Sequence, residues 1–485
     1  MAALGGGLLG SYTGGRVAGQ DSPPARRHNV LLICVDDLRP ELGCAGATYA
    51  DTPNIDRLAA TGVRFTRHYA QVPTCGASRA ALLMGRSPAR SGIVSGNNGL
   101  YQGPAALSRE PTAGAQTIPE LFRRSGHRTT CIGKISHMPD GRIYAYDGSG
   151  SGLPELPHAW DELATPYGPW ERGWGCFFAY ADGRHREDGQ GHQDLMEFAA
   201  EDDEDLPDGM DARAAVEKLH EHRRRGEAFF LGFGVYKPHL PFVATHGDWA
   251  AMEDRAVPLP PHPERPDSPY WHPSGEFYRY DMPFEKQRPL SPEATLRAKR
   301  AYLAAVRYAD RQIGKVLDTL DELGLAESTT VVLWGDHGWH LGDSQIWGKH
   351  TPFERALLSP LIIRSPGMTQ GGVCDALVET LDIYPTLRDL CDPSFPRTEH
   401  PLDGESLVPL LRDPSASVRD TATSYWGKAV TVRGETHRAI AQRGEAGFEN
   451  VELYDVRDTV DPVRNLAGEQ PEVAAELLAS LPAVG

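Results

Sequence analysis

Cysteine is scarce, with seven in 485 residues (Cys34, Cys44, Cys75, Cys131, Cys176, Cys374 and Cys391). The number is odd and the spacings match no zinc-ligand pattern, so a metal-stapled fold is excluded and most read as small core residues. Long apolar runs are missing too. No stretch of about 18 uncharged apolar residues occurs, which removes a membrane-spanning helix. Positive charge is in deficit: 49 Lys+Arg stand against 66 Asp+Glu, a net charge of −17. A chain this acidic is a poor non-specific binder of nucleic acid or anionic membrane, and neither is expected as a partner. An anionic substrate would have to meet a local cluster of bases. Internal repeats and low-complexity arrays are also absent. What remains, 40% hydrophobic and 24% charged residues, excludes disorder, collagen and coiled coil as descriptions of the whole chain.

Residues 1–27 are small and weakly apolar. They read either as a tail or as the remnant of an export signal ending near Ala18-Gly19-Gln20. The export reading places the protein in the periplasm or outside the cell; the tail reading leaves the cytoplasm open. From Asn29 the pattern turns regular. Apolar runs at 30–35, 129–132, 229–233, 330–334 and 361–363 have the composition of strands buried on both faces. Helical patterns at 54–61, 117–125, 212–224, 292–323 and 381–390 lie between them. This alternation predicts an α/β fold built on a large, mostly parallel, doubly wound sheet. We expect a catalytic domain over 28–400 and a small α+β subdomain over 401–485, ending in a helix at 472–481. Two long irregular insertions, about 139–208 and 255–292, are expected to border or cap an active site.

The chemistry concentrates at strand ends. Asp36-Asp37 follows the first apolar run, and Asp336-His337 follows Val331–Gly335. Each pair alone also fits a solvated turn. Carboxyl ends of parallel strands converge on one edge, however, where open α/β sheets bind ligands. Three carboxylates and an imidazole meeting there suit a hard, oxygen-preferring cation. Cys75 precedes a run of good helix formers, Ala77–Met84, which puts it at a helix N-terminus where partial positive charge favours an anion. Arg79 lies one turn along the same face.

These motifs, taken in order, resemble the type I sulfatases. Cys75-Gly76-Ala77-Ser78-Arg79, followed by Gly85-Arg86, is similar to the signature whose cysteine is oxidised to formylglycine (3-oxoalanine). Gly133-Lys134-Ile135-Ser136-His137, Lys237-Pro238-His239-Leu240-Pro241-Phe242 and Gly335–Lys349 resemble the family's other site segments. The last two are closest to its iduronate-2-sulfatase branch. The likeness spans about 28–467. It implies an alkaline-phosphatase/sulfatase-like fold and hydrolysis of sulfate esters on sulfated carbohydrate. It implies one divalent metal, calcium before manganese or zinc, on Asp36, Asp37, Cys75, Asp336 and His337. Catalysis would fall to Cys75, Arg79, Lys134, His137, His239 and Lys349, with Lys134, His239 and Lys349 also binding substrate. Within that set Arg79 steadies the hydrated aldehyde, His137 is the base for release and His239 serves the departing oxygen. A formylglycine-generating enzyme is the implied maturation partner. Two positions depart from the pattern: Ala77 stands where most members carry proline, and His337 replaces the asparagine of arylsulfatases. The competing readings are a phosphatase or phosphonate monoesterase on the same fold, and a glycan binder in which Cys75 stays unconverted. Lys237 and His340 are further candidates to face the substrate.

Overall fold

The computed structural model describes Met1, Ala2 and residues 28–368, 370–445 and 447–481. The expected N-terminal tail or export remnant lies, but for its first two residues, outside them.

Eight strands form the main sheet, in the spatial order Gly372–Glu379, Val63–Tyr69, Leu361–Arg364, Thr329–Gly335, Asn29–Val35, Phe229–Val235, Arg128–Ile132 and Glu162–Leu163. Every pairing is parallel except the two made by Leu361–Arg364, which runs against both its neighbours. The central strand shows why its sequence is apolar without alternation. Leu31, Ile33 and Val35 enter a core beneath the helices Pro53–Thr61, Pro207–Arg225 and Pro292–Glu322. Val30, Leu32 and Cys34 enter the opposite core, beneath Cys75–Met84, Ile118–Arg124 and Ile383–Cys391. With helices on both faces, no side of such a strand can be polar.

All five apolar runs are strands, and the fold is the expected doubly wound one. Besides the two-residue edge strand Glu162–Leu163, two strands of this sheet went unread, Val63–Tyr69 and Gly372–Glu379. They lie towards one edge, alternate buried with half-exposed residues, and carry arginine, histidine and aspartate among them.

A separate four-stranded antiparallel sheet follows: Ala422–Trp426, Ala429–Arg433, His437–Arg443 and Phe448–Asp455, in chain order. The helix Pro471–Ala479 covers one face. The other face packs Ala429, Ile440 and Tyr454 against Tyr270, Ile346 and Phe353 of the main body. Its first strand is stitched to the segment before Cys75: Tyr425 N–H donates to Gln71 O at 2.7 Å and Ser424 Oγ to Ala70 O at 2.7 Å.

Candidate active site

The strands Asn29–Val35 and Thr329–Gly335 pair in parallel with Val35 opposite Gly335, so Asp36 and Asp336 leave the sheet side by side. Asp37 takes a left-handed backbone (φ 59°), and its N–H donates to Asp336 Oδ1 at 3.0 Å. That turn puts the two neighbouring carboxylates on one side of the chain.

The helix Cys75–Met84 begins beneath them. Thr74, at its start, is extended, and the first turn takes its acceptor from another loop: Gly76 N–H donates to Asn97 Oδ1 at 2.9 Å. A Cβ on residue 76 would lie 2.3 Å from Asn97 Cα, so only glycine fits. Cys75 is 4% exposed. Its Sγ is 3.4 Å from His337 Nε2 and 3.1 Å from Lys349 Nζ, which donates to it. Burial, joined by the Asp36 charge, pushes the thiol well above its ordinary range, so it is not a thiolate here.

Arg79 is fully buried one turn on. Its Nε reaches Asp336 Oδ2 at 3.0 Å and its Nη2 reaches Asp36 Oδ1 at 3.4 Å, while Nη1 donates to the carbonyls of Lys134 and Ile135. Those carbonyls belong to the turn after Arg128–Ile132, at whose start Gly133 (φ 67°) passes within 1.9 Å, measured from its missing Cβ, of Gly234 O. The turn delivers Lys134 Nζ to Asp36 Oδ2 at 2.6 Å, above the Phe177 ring at 4.0 Å. Lys349 Nζ pairs with Asp37 Oδ1.

Three histidines complete the ring. His337 Nδ1 donates to Gly338 O at 2.9 Å, which turns Nε2 towards Cys75, Asp37 Oδ1 (3.4 Å) and Asp336 Oδ1 (3.7 Å). His239 Nδ1 likewise donates to Leu240 O at 2.7 Å, aiming Nε2 at Asp37 Oδ2, 3.6 Å away. His137 lies against Trp174, ring centroids 5.4 Å apart, and its Nδ1 has no hydrogen-bond partner. Burial, together with neighbouring lysines, holds His137, His239 and His337 well below the usual imidazole range.

The carboxylates divide according to their cations. For Asp36, burial opposes ionisation, but Lys134 and Arg79 outweigh it and hold the group well below the ordinary range. Burial and the repulsion of Asp36 and Asp336 drive Asp37 well above that range despite Lys349. Burial and Asp36 take Asp336 to about 7. Crowded acids of this kind call for a further positive charge.

The donor set fits one. Asp36, Asp37, Cys75 and His337, all buried, each offer an atom within 4.8 Å of the others, the one such group among the described residues. Asp37 Oδ2 is buried without a hydrogen-bond donor. The other ring nitrogen of His337 is anchored on a carbonyl, as metal-binding imidazoles usually are. Asp336 stands outside that foursome, committed to Arg79 and the Asp37 N–H, with Oδ1 still facing His337.

Every site residue expected from the sequence therefore converges on one buried pocket floor. Lys237 and His340 do not face it openly. Lys237 Nζ is spent on His239 O (3.1 Å) and Pro241 O (2.8 Å), bracing the His239 loop. His340 is fully buried against Thr351. Several residues at the site carry no sequence signal: Asn97 at the helix start, Ser274 (Oγ accepting from Lys349 N–H at 3.0 Å), and His350, stacked on Trp426 at 5.0 Å. Glu276 also belongs here, its Oε2 lying 4.0 Å from His239 Nε2.

Solved structures share this fold. A phosphonate monoester hydrolase of Agrobacterium radiobacter superposes with a TM-score of 0.73 at 22% identity, covering 94% of this chain and 95% of that one. A protein solved in complex with its substrate D-glucosamine-2-N,6-O-disulfate gives 0.66 at 21%, covering 93% and 96%. These likenesses show the fold class, the alkaline-phosphatase-like one with a large, mostly parallel sheet between helices.

Within that class the sequence is specific. The Sulfatase family model matches residues 28–393, and the chain belongs to the sulfatase family. It is 30% identical to a sulfatase of Formosa agariphila over 88% of this chain and 80% of that protein. It is 28% identical to iduronate 2-sulfatase of Mus musculus over 94% and 79%. The protein is thus a sulfuric ester hydrolase. Among the described residues no helix is long and apolar enough to cross a membrane.

Proposed function

We propose that this protein removes sulfate esters from sulfated glycans in the manner of iduronate 2-sulfatases, with a formylglycine at position 75 and one calcium ion. The observation that carries the reading is the placement of Cys75: buried at a helix start, beside Lys349, and within 4.8 Å of carboxylate and imidazole atoms that could hold a cation. A thiol held protonated in that position is a poor nucleophile, whereas its burial suits a pre-positioned, modified side chain.

Asp36, Asp37, Cys75 (once converted) and His337 would hold the cation, with Asp336 alongside. When bound, it supplies Lewis-acid polarisation and charge neutralisation at the sulfate. A formylglycine at 75 supplies a hydrated aldehyde, with one hydroxyl to attack sulfur and a second to drive release. The remaining work falls to the chain's own side chains. Lys134 and Lys349 present ammonium groups beside position 75, where the oxygens of a sulfate monoanion need donors as charge shifts between them. Arg79 locks Asp36, Asp336 and the Lys134 turn in one arrangement. His239, with Nδ1 fixed on Leu240 O, holds Nε2 beside Asp37; a bound sulfate anion would favour its protonation, and the protonated ring then gives a proton to the departing sugar oxygen. His137 is the base for the release step. The export reading of residues 1–27 is consistent with a periplasmic or secreted enzyme, and a formylglycine at 75 requires a formylglycine-generating partner.

The test is a screen of defined sulfated oligosaccharides beside matched phosphate and phosphonate esters. Release of sulfate from the glycans at rates above those for the phosphorus esters supports the proposal. Dominant phosphatase or phosphonate turnover would replace it.

A further inference from the structure

Both long insertions reach the site, and together they build a wall behind and beyond the sulfate-directed residues. From 139–208 come Trp174 and Phe178, whose rings back His137 and His239 (5.4 and 6.1 Å between centroids). Tyr146 stands edge-on to Trp174 at 4.6 Å and to Phe178 at 5.7 Å, yet remains 47% exposed. The ring is thus held by two others, with the Arg186 guanidinium 5.7 Å over its centroid, and its exposed part is a surface that the apolar face of a sugar can cover.

From 255–292 comes Glu276. Its Oε1 accepts from Arg186 Nη1 at 3.1 Å, and the same nitrogen donates to Tyr280 OH at 2.8 Å. Arg186 is itself held over the Phe178 ring at 3.3 Å and by Glu187 at 2.8 Å. The carboxylate is thereby fixed by one oxygen. The other, Oε2, has no donor among the described residues and faces His239 Nε2 across 4.0 Å, too far for a hydrogen bond. A carboxylate oxygen held rigid and unpaired beside the group that serves the leaving oxygen is placed to accept from a ligand hydroxyl.

We propose that Glu276, positioned by Arg186 and flanked by Tyr146, is the specificity-determining residue for the leaving group. It accepts a hydrogen bond from a sugar hydroxyl near the sulfated carbon while the ring of Tyr146 supports the sugar. This deepens the proposed function and rests on it, since the leaving group must be a polyol.

The experiment uses the full-length, metal-loaded enzyme with formylglycine content matched. Wild type is first screened on monosulfated neutral, amino and uronic monosaccharides. The best substrate is then compared with analogues lacking one hydroxyl at a time. Glu276→Ala should lower kcat/KM on the parent sugar by about 10- to 100-fold, the range for a hydrogen bond to a charged acceptor. On one deoxy analogue the loss should shrink to a few-fold, because the partner of Glu276 is already missing. Parent and analogue release alkoxides of similar basicity, so a role of Glu276 in merely polarising His239 would depress both alike. Glu276→Gln, which keeps the shape and a carbonyl acceptor, should give an intermediate loss with the same pattern if truncation disturbs Arg186. Equal losses on the parent and every analogue, in both variants, would overturn the inference while leaving the proposed function standing. Turnover of nitrophenyl sulfate but of no sugar sulfate by wild type would overturn the proposed function, and the inference with it.

Discussion

Replacing Arg79 by methionine removes a fully buried guanidinium that holds two carboxylates and two backbone carbonyls. Its nitrogens lie 3.0 Å from Asp336 and 3.4 Å from Asp36. With an effective dielectric of about 20, two unit charges about 4 Å apart attract by about 4 kcal/mol. Taking one partner out of a buried pair costs about 3–5 kcal/mol, because the remaining charge keeps its desolvation without its counter-ion. The lost donations to the Lys134 and Ile135 carbonyls place Arg79→Met at the upper end of that range. Asp336→Asn should cost less, because it also relieves the repulsion between Asp336 and Asp36. The double variant should be less destabilised than the sum by about 1–3 kcal/mol. The measurement is urea unfolding followed by circular dichroism on chelator-treated protein. All variants are built on Cys75→Ala so that conversion at position 75 cannot differ between them. Additivity within about 0.5 kcal/mol would refute the electrostatic account of Arg79.

Chelation should abolish turnover and calcium should restore it best, since carboxylate oxygens dominate the donor set; full activity in exhaustively stripped protein removes the metal from the mechanism, and recovery with manganese or zinc alone favours the phosphatase reading. Peptide mass spectrometry of active protein should find formylglycine at 75, and Cys75→Ala should be inactive; a fully active preparation carrying only cysteine ends that assignment. His239→Ala should reduce kcat/KM on a sulfated sugar by about 10²–10⁴-fold and on nitrophenyl sulfate much less, because only the alkoxide needs a proton on leaving. Equal losses on the two substrates make His239 a binding residue and pass the acid role to another group.

Most of the floor of this site could be read from the chain because its residues sit where regular structure ends. Asp36-Asp37 and Asp336-His337 terminate apolar runs, Cys75 opens a helix, and Lys134 follows a strand. A change of periodicity marks each position. The walls could not be read in the same way. Glu276, Tyr146 and Arg186 lie in segments without period, and their meaning comes from contacts between such segments, Arg186 and Glu276 being 90 residues apart. Asn97 caps a helix it does not belong to, so no pattern local to Cys75 could disclose it. The same limit explains the two longer unread strands. Val63–Tyr69 and Gly372–Glu379 share their faces between core and exposed or interfacial surroundings, and their mixed composition resembles a loop until the sheet supplies their neighbours.

The stitching of Ala422–Trp426 onto residues 70–71 fixes an order of events during synthesis. The segment that leads into Cys75 has its partners some 350 residues downstream, in Ser424 and Tyr425, and Trp426 closes over His350 only when that strand arrives. A chain emerging from the ribosome at about 5–20 residues per second leaves this segment unpaired for tens of seconds. Once the last sheet docks, the segment leading into Cys75 is held in its folded position. A modifying enzyme that must reach the Cys75 side chain therefore works against a clock set by the distance, along the chain, between the nucleophile and the sheet that locks it in place.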